Sequence, residues 1–194
     1  MKKILSLIFA ALLIVSCFTA CGGNTDSGIK IPEEDLSEVQ YGSFSKFTAV
    51  DLEGKTVTED IFKGKKLTMI NIWGTFCGPC INEMPGLNRL HQEYSDKGFQ
   101  IIGIVCDVGL SASGEYYDDS LYNDALDVVE MTGVTYKNLL PSYSLDRIKL
   151  REVYSIPETV FVDENGNIIG DSYIGSRNYE NWKVIVDSIL STMS

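Results

Sequence analysis

Residues 67–85 read Leu-Thr-Met-Ile-Asn-Ile-Trp-Gly-Thr-Phe-Cys-Gly-Pro-Cys-Ile-Asn-Glu-Met-Pro. The stretch begins as an apolar run bounded by Lys66 and Gly74, of a length that suits a buried strand. Beyond Gly74-Thr75-Phe76 the apolar residues change period. Ile81, Met84, Leu87, Leu90 and Tyr94 fall on one helical stripe. A two-cysteine motif, Cys77-Gly78-Pro79-Cys80, therefore sits where a buried strand passes into a helix.

That placement sets the chemistry. The first turn of a helix carries unpaired N–H groups and the positive end of the macrodipole, so a thiol there loses its proton more easily. Pro79 fits an early helical position, which needs no N–H donor. Cys77, at the very end, is expected to be the exposed thiol, with a pKa of about 3.5–7.5 against about 8.5 when free. Cys80 lies one turn further in and is expected to be more buried. The pair reads as attacking thiolate, Cys77, and resolving thiol, Cys80. The competing readings are half of a zinc site or an inert disulfide. A structural zinc site wants four ligands, and only Cys106 and His91 remain in the mature chain. His91 follows Cys80 on the same helix at a distance of about 16 Å along the axis, out of reach of the pair. Redox chemistry is the stronger reading; no metal and no cofactor are expected.

The amino terminus runs Met1-Lys2-Lys3 and then apolar from Ile4 to Ala20, a positive n-region followed by an h-region, as in a secretory signal. An uncleaved membrane anchor competes, since spanning needs about 17–25 residues. Phe18-Thr19-Ala20-Cys21-Gly22-Gly23 resembles the lipobox of bacterial lipoproteins, with Cys21 as the lipidated residue. Ile14-Val15-Ser16-Cys17 is the alternative. Cys21 is preferred because a polar Gly/Asn/Ser/Asp linker starts directly after it. The expected division is a signal peptide at 1–20, a flexible tether at 21–40 and one folded domain at 41–194. The protein is then extracytoplasmic and held to the bacterial membrane by acyl chains. The chain has 16 basic and 27 acidic residues, a net charge of −11. Loss of Lys2 and Lys3 with the signal makes it more acidic still. That balance argues against nucleic acid and against electrostatic binding to anionic lipid. An exported chain with only five cysteines does not use disulfides as its scaffold.

Around the motif the pattern is regular. Phe44–Val50 and Thr56–Thr58, split by a turn at 51–55, predict a hairpin; Glu59–Phe62 reads as a short helix. Gln100–Asp107 predicts a second buried strand, parallel to the first across a helical crossover. Cys106 at its end reads as a small buried side chain rather than a third redox thiol. Residues 109–119 read as a solvated loop. A helix is expected over 120–131, a further strand over 136–140 and helix over 145–154. Ile156-Pro157 opens a strand at a place that suits a cis bond. A hairpin turns at 163–166, and Asn178 caps a last helix whose face holds Trp182, Ile185, Val186 and Ile189.

This order resembles the thioredoxin fold over residues 42–192. It is an α/β, thioredoxin-like arrangement with an N-terminal β-hairpin extension and an insertion before the cis-Pro half. The closer resemblance is to the extracytoplasmic TlpA/ResA-type thiol-disulfide oxidoreductases. It rests on the Trp-Gly-Thr-x-Cys-x-x-Cys run at Trp73 to Cys80, on Glu83-Met84-Pro85, on the leading hairpin and on the insertion. The resemblance implies that Trp73 and Phe76 lie beside the disulfide, that Pro157 is the cis-proline facing it, and that the backbone of Ile156 pairs with an extended substrate segment. A proline at 157 also argues against metal capture. Glu83 matches a glutamate that lies near the pair in this family. Three residues past Cys80 on a helix, it is placed to take and return the Cys80 proton. Where thioredoxin buries an aspartate on the motif strand, this chain has Asn71, as TlpA/ResA-type proteins do.

The implied activity is reduction of partner-protein disulfides, with apocytochrome c thiols among the substrates and a membrane electron carrier of the CcdA/DsbD kind as donor. An oxidant running the same steps backwards is the alternative. A peroxiredoxin-type peroxidase would want Thr-x-x-Cys, but Thr75 stands two before Cys77. A copper-delivery protein of the Sco type would want Cys-x-x-x-Cys and a histidine near the site.

Overall fold

The computed structural model describes residues 26–111 and 114–193. Its elements are β1 (Asp26–Lys30), β2 (Thr48–Val50), β3 (Thr56–Thr58), β4 (Leu67–Trp73), α1 (Gly78–Tyr94), β5 (Phe99–Val105), β6 (Tyr116–Asp118), α2 (Asp119–Thr132), β7 (Asn138–Leu139), α3 (Tyr143–Ile148), β8 (Glu158–Val162), β9 (Ile168–Ile174) and α4 (Tyr179–Thr192). The proposed signal peptide and both candidate lipidation sites, Cys17 and Cys21, lie outside the described residues. No helix among the described residues is long and apolar enough to cross a membrane.

The apolar run at 67–73 is the central strand of a five-stranded sheet ordered β7-β5-β4-β8-β9. β4 is buried at every position, as a strand covered on both faces must be. It runs parallel to β5 and antiparallel to β8. Side chains alternate along it. Leu67, Met69 and Trp73 join a core with Met84, Leu87 and Leu90 of α1, Phe161 and Trp182. Ile70 and Ile72 point the other way, into a second core with Phe44, Phe47, Phe62, Leu145 and Ile148. Each such side chain contributes about 1.5–3 kcal/mol by leaving water. The two cores hold β4 from both sides, so its carboxyl end, where the cysteines follow, has little freedom.

The fold expected from the sequence is the one observed: the β2–β3 hairpin, the parallel β4–β5 crossover, α2 ending at Gly133, and α4 capped by Asn178, whose side chain accepts from Asn181 N. Three local expectations differ from the structure. The tether proposed for 21–40 is ordered from Asp26 onward. β1 pairs antiparallel with β6, and Glu34 accepts from the backbone N–H groups of Tyr143 and Ser144, both at 2.8 Å. The solvated loop proposed for 109–119 contains the partner strand β6. There Tyr117 is fully buried and its hydroxyl donates to Pro141 O at 2.7 Å. Neither strand is long enough to show a period alone. Each is stabilised by the other and by Ile29 and Ile31 packing on the first core. The helix expected over 145–154 is shorter, α3 followed by a 3-10 turn at Leu150–Glu152.

Candidate active site

Cys77 is the N-cap of α1 in an extended conformation, and its sulfur is bonded to that of Cys80, with the Cα atoms 5.3 Å apart. Cys77 Sγ also accepts from Cys80 N at 3.2 Å. The first-turn N–H groups therefore face the sulfur that becomes a thiolate on reduction, the arrangement that lowers a thiol pKa. The expectation that Cys77 is exposed is corrected: it is 6% exposed and Cys80 0%. It is still the outer of the two, and Ile156 packs against the core cluster that includes it.

Three chain segments meet at the turn before Cys77. The Ile156–Pro157 bond is cis, and the Ile156 side chain lies against Gly74. A Cβ at residue 74 would lie 3.0 Å from Ile156 Cδ1 and 3.3 Å from Asp107 Cγ, so any larger residue there would press on both side chains. Asp107, just past β5, clamps the turn. Its carboxylate accepts from Thr75 N at 3.1 and 3.0 Å and from Thr75 Oγ1 at 2.6 Å. Sequence reasoning missed Asp107; the available signal was an acidic residue at the carboxyl end of the strand next to the motif strand.

Phe76 is 76% exposed, on the rim of the disulfide, where a partner can be met. Trp73, expected beside the disulfide and grouped with the substrate-binding residues, is fully buried. Its Nε1–H donates to Asn138 Oδ1 at 2.9 Å, which satisfies the indole and locks it beneath the motif. The contact leaves no room on β5, where a Cβ on Gly103 would come within 1.9 Å of Asn138 Oδ1.

Glu83 is buried under α1. Its Oε1 accepts from Asn71 Nδ2 at 3.0 Å, and its Oε2 accepts from Arg177 N at 2.9 Å and from Trp182 Nε1 at 3.2 Å. Asn71 Nδ2 also donates to Thr159 Oγ1 at 3.1 Å. Burial raises the Glu83 pKa above the ordinary glutamate value, opposed by these donors and by the Arg177 charge. A carboxyl group whose pKa is raised by burial is a candidate for proton exchange. Trp182, Arg177 and Thr159 come from elements far away in the chain, and no local spacing pointed to them as its partners. Cys106 is half-buried and free, its thiol pushed up to about 11 by burial and by Asp107. His91 is held elsewhere, its Nδ1 accepting from Ile101 N at 3.0 Å. Among the described residues no three His, Cys, Asp or Glu side chains are grouped to hold a metal ion.

A disulfide capping a helix N-terminus, a cis-proline loop beside it and a buried carboxyl group behind it define a thioredoxin-like protein built for thiol-disulfide exchange. The model of the family described as Redoxin matches residues 32–181, and the chain belongs to this family, in its TlpA/ResA-type branch. It is 31% identical over 179 residues to the thiol-disulfide oxidoreductase ResA of Bacillus thuringiensis subsp. konkukian, covering 87% of this chain and 88% of that protein. It is 28% identical over 171 residues to the thiol:disulfide interchange protein DsbE of Haemophilus influenzae, covering 86% and 76%. A crystal structure of a thioredoxin-family thiol:disulfide interchange protein from Chlorobium tepidum superposes with a TM-score of 0.61 at 21% identity, over 79% of this chain and 99% of that one; that likeness speaks for the fold alone.

Proposed function

We propose that this enzyme is an extracytoplasmic protein-disulfide reductase, held at the bacterial membrane through a lipid on Cys21 (alternatively Cys17). The observation that carries the direction is the pair of carboxyl groups flanking the disulfide. Asp107 is bonded to Thr75, two residues before Cys77, and Glu83 lies one helical turn past Cys80. Carboxylate charge there offsets part of the stabilisation that the Cys80 N–H gives the Cys77 thiolate. A dithiol whose thiolate is less stabilised gives up its electrons more readily, the reverse of the case that makes a strong oxidant.

In the reaction, the Cys77 thiolate attacks one sulfur of a partner disulfide, and the partner's other sulfur leaves as a thiolate. Cys80 passes its proton to Glu83 and attacks Cys77 Sγ. The Cys77–Cys80 bond forms and the mixed disulfide breaks. Two electrons have passed to the partner, whose two sulfurs take up protons from Glu83 and from water. Phe76 and the Ile156 backbone offer the partner its contact surface beside cis-Pro157. By family resemblance the partners are apocytochrome c thiols, and a membrane carrier of the CcdA/DsbD kind re-reduces the pair.

The test is the reduction potential of Cys77–Cys80, equilibrated against thiol redox buffers. A value near thioredoxin's approximate −270 mV or below supports a reductase, and one around −120 mV overturns the direction in favour of an oxidant. For the anchor, mass spectrometry of the amino-terminal peptide from membranes should find acyl groups on Cys21. Acylated Cys17 would select the alternative, and an unacylated terminus would remove the tether.

A further inference from the structure

The three donors around Glu83 suit its carboxylate and not its acid. Protonated Glu83 has an O–H of its own to place, which needs an acceptor. Arg177 N and Trp182 Nε1 carry no lone pair to offer. Asn71 is different, because its amide holds a donor and an acceptor on one planar group. Nδ2 is engaged by Glu83 Oε1 at 3.0 Å and by Thr159 Oγ1 at 3.1 Å. Oδ1 is buried and has no hydrogen-bond partner among the described residues. Residue 71 is fully buried, so an unpaired carbonyl oxygen there is unfavourable. A half-turn about the Cβ–Cγ bond exchanges the two atoms. Oδ1 then faces both Glu83 Oε1 and Thr159 Oγ1. It accepts the O–H of the acid, and it accepts from the threonine hydroxyl, which can donate as well as accept.

We propose that Asn71 is the positioning residue for the Glu83 proton: its amide donates to the carboxylate and, turned by half a revolution, accepts from the acid. The inference rests on the reading of Glu83 as the proton partner of Cys80. Each time a proton passes from the Cys80 thiol to Glu83 the amide turns, and each time it returns the amide turns back. No backbone movement is needed, and one end of the amide lacks a protein partner among the described residues in either state, Oδ1 beside the carboxylate and Nδ2 beside the acid. A carboxyl group at 71 would put a second acid within hydrogen-bond distance of Glu83, and the two would titrate as a coupled pair. An aliphatic residue would serve neither state. The groups facing Glu83 are drawn from every neighbouring element. They are Asn71 on β4, with Thr159 of β8 behind it, Arg177 between β9 and α4, Trp182 on α4 and Tyr136 ahead of β7; Cys80 stands one helical turn earlier on α1. Arg177 favours the charged form. Tyr136 is pushed far above the ordinary tyrosine range by burial and then by Glu83, and stays neutral throughout.

The test follows Asn71 and Glu83 by carbon NMR in the full-length protein in detergent, with the cysteines reduced. The Asn71 Cγ and Glu83 Cδ signals should titrate with one midpoint, since Oδ1 gains its hydrogen bond when Glu83 gains its proton. In Glu83→Gln the Asn71 signal should lose its pH dependence. A flat Asn71 signal beside a titrating Glu83 overturns the proposal, because the amide is then a fixed donor. The kinetic arm is the pH profile of insulin disulfide reduction. Asn71→Leu should slow it by about tenfold, a part of what a positioned acid–base group supplies, and displace the limb that Glu83→Gln abolishes. A wild-type profile in Asn71→Leu also overturns it. If Glu83→Gln leaves the profile unchanged while both NMR signals titrate together, the assignment of Glu83 to Cys80 fails and the amide coupling stands.

Discussion

Lys149→Met tests how the cis-proline strand is held. Lys149 Nζ lies 2.5 Å from Glu158 Oε1, with the two side chains only 11% and 4% exposed. Lys149 follows α3, its N–H bonded to Leu145 O at 2.9 Å. Glu158 is the first residue of β8, directly after Pro157, and sits opposite Ile72 and Ile174. The ion pair thus ties the α3 segment to the strand that carries the cis bond. Methionine keeps most of the apolar stem and removes the charge, leaving the Glu158 carboxylate buried without its partner. Breaking such a pair from one side costs about 3–5 kcal/mol. For a domain of this size each kcal/mol moves the melting temperature by about 2–4 °C, so a fall of about 6–20 °C is expected. Urea denaturation of the oxidised protein, followed by near-UV circular dichroism, measures the free energy directly. Replacing both residues by methionine should recover most of the loss, because a well-packed apolar pair is often neutral or better than the ions by about 1–4 kcal/mol. The double-mutant cycle isolates the coupling. A single variant that loses less than about 1 kcal/mol, the range of exposed pairs, would show that water reaches the pair and that it does not brace the loop.

Two further outcomes concern Cys106, next to the site, and His91, away from it. Cys106, with its thiol pushed up to about 11, should resist iodoacetamide at neutral pH in the oxidised protein, and Cys106→Ser should keep the insulin-reduction rate; rapid labelling or a lost rate would make it a third redox thiol. Burial, with Lys65 adding to it, holds His91 below its ordinary value of 6.5, and its neutral Nδ1 accepts from Ile101 N. The stability it contributes is therefore full above about pH 6.5 and is lost as pH falls through the lowered value. The stability difference between wild type and His91→Gln should shrink on acidification, and a difference that does not change with pH would refute this.

Local chemistry was legible wherever neighbours in the chain are neighbours in space. The change of period at Gly74 announced a strand passing into a helix, and the three-residue step from Cys80 to Glu83 announced a carboxyl group on the same helix. What escaped reading depends on residues brought together by the sheet. Asp107 meets Thr75 only because β5 lies beside β4 in register, with Trp73 opposite Val105. β1 and β6 stayed hidden because each is a strand only in the presence of the other. The burial of Trp73 was not legible either, because its partner Asn138 lies on an edge strand of two residues.

Position 71 shows why a single substitution in the motif strand has consequences across the core. An asparagine there, in place of an acid, looks in the sequence like the loss of a proton carrier. In the fold it lies opposite Thr159 on β8 and under Glu83 on α1, so the ionisable group has moved from strand to helix while the strand keeps a hydrogen-bonding side chain. The helix site draws on a backbone N–H of the β9–α4 connection and on the indole of α4. Arg177 and Trp182 thereby become parts of a proton site that lies far from them in sequence. A carboxyl group on the strand would be held by the sheet alone. On α1 it is held by three layers of the fold, and the helix that carries Cys80 also carries the group proposed to exchange a proton with it. Any movement of α1 that accompanies disulfide exchange would carry Cys80 and Glu83 together, and their separation, fixed by one helical turn, would be preserved in both redox states.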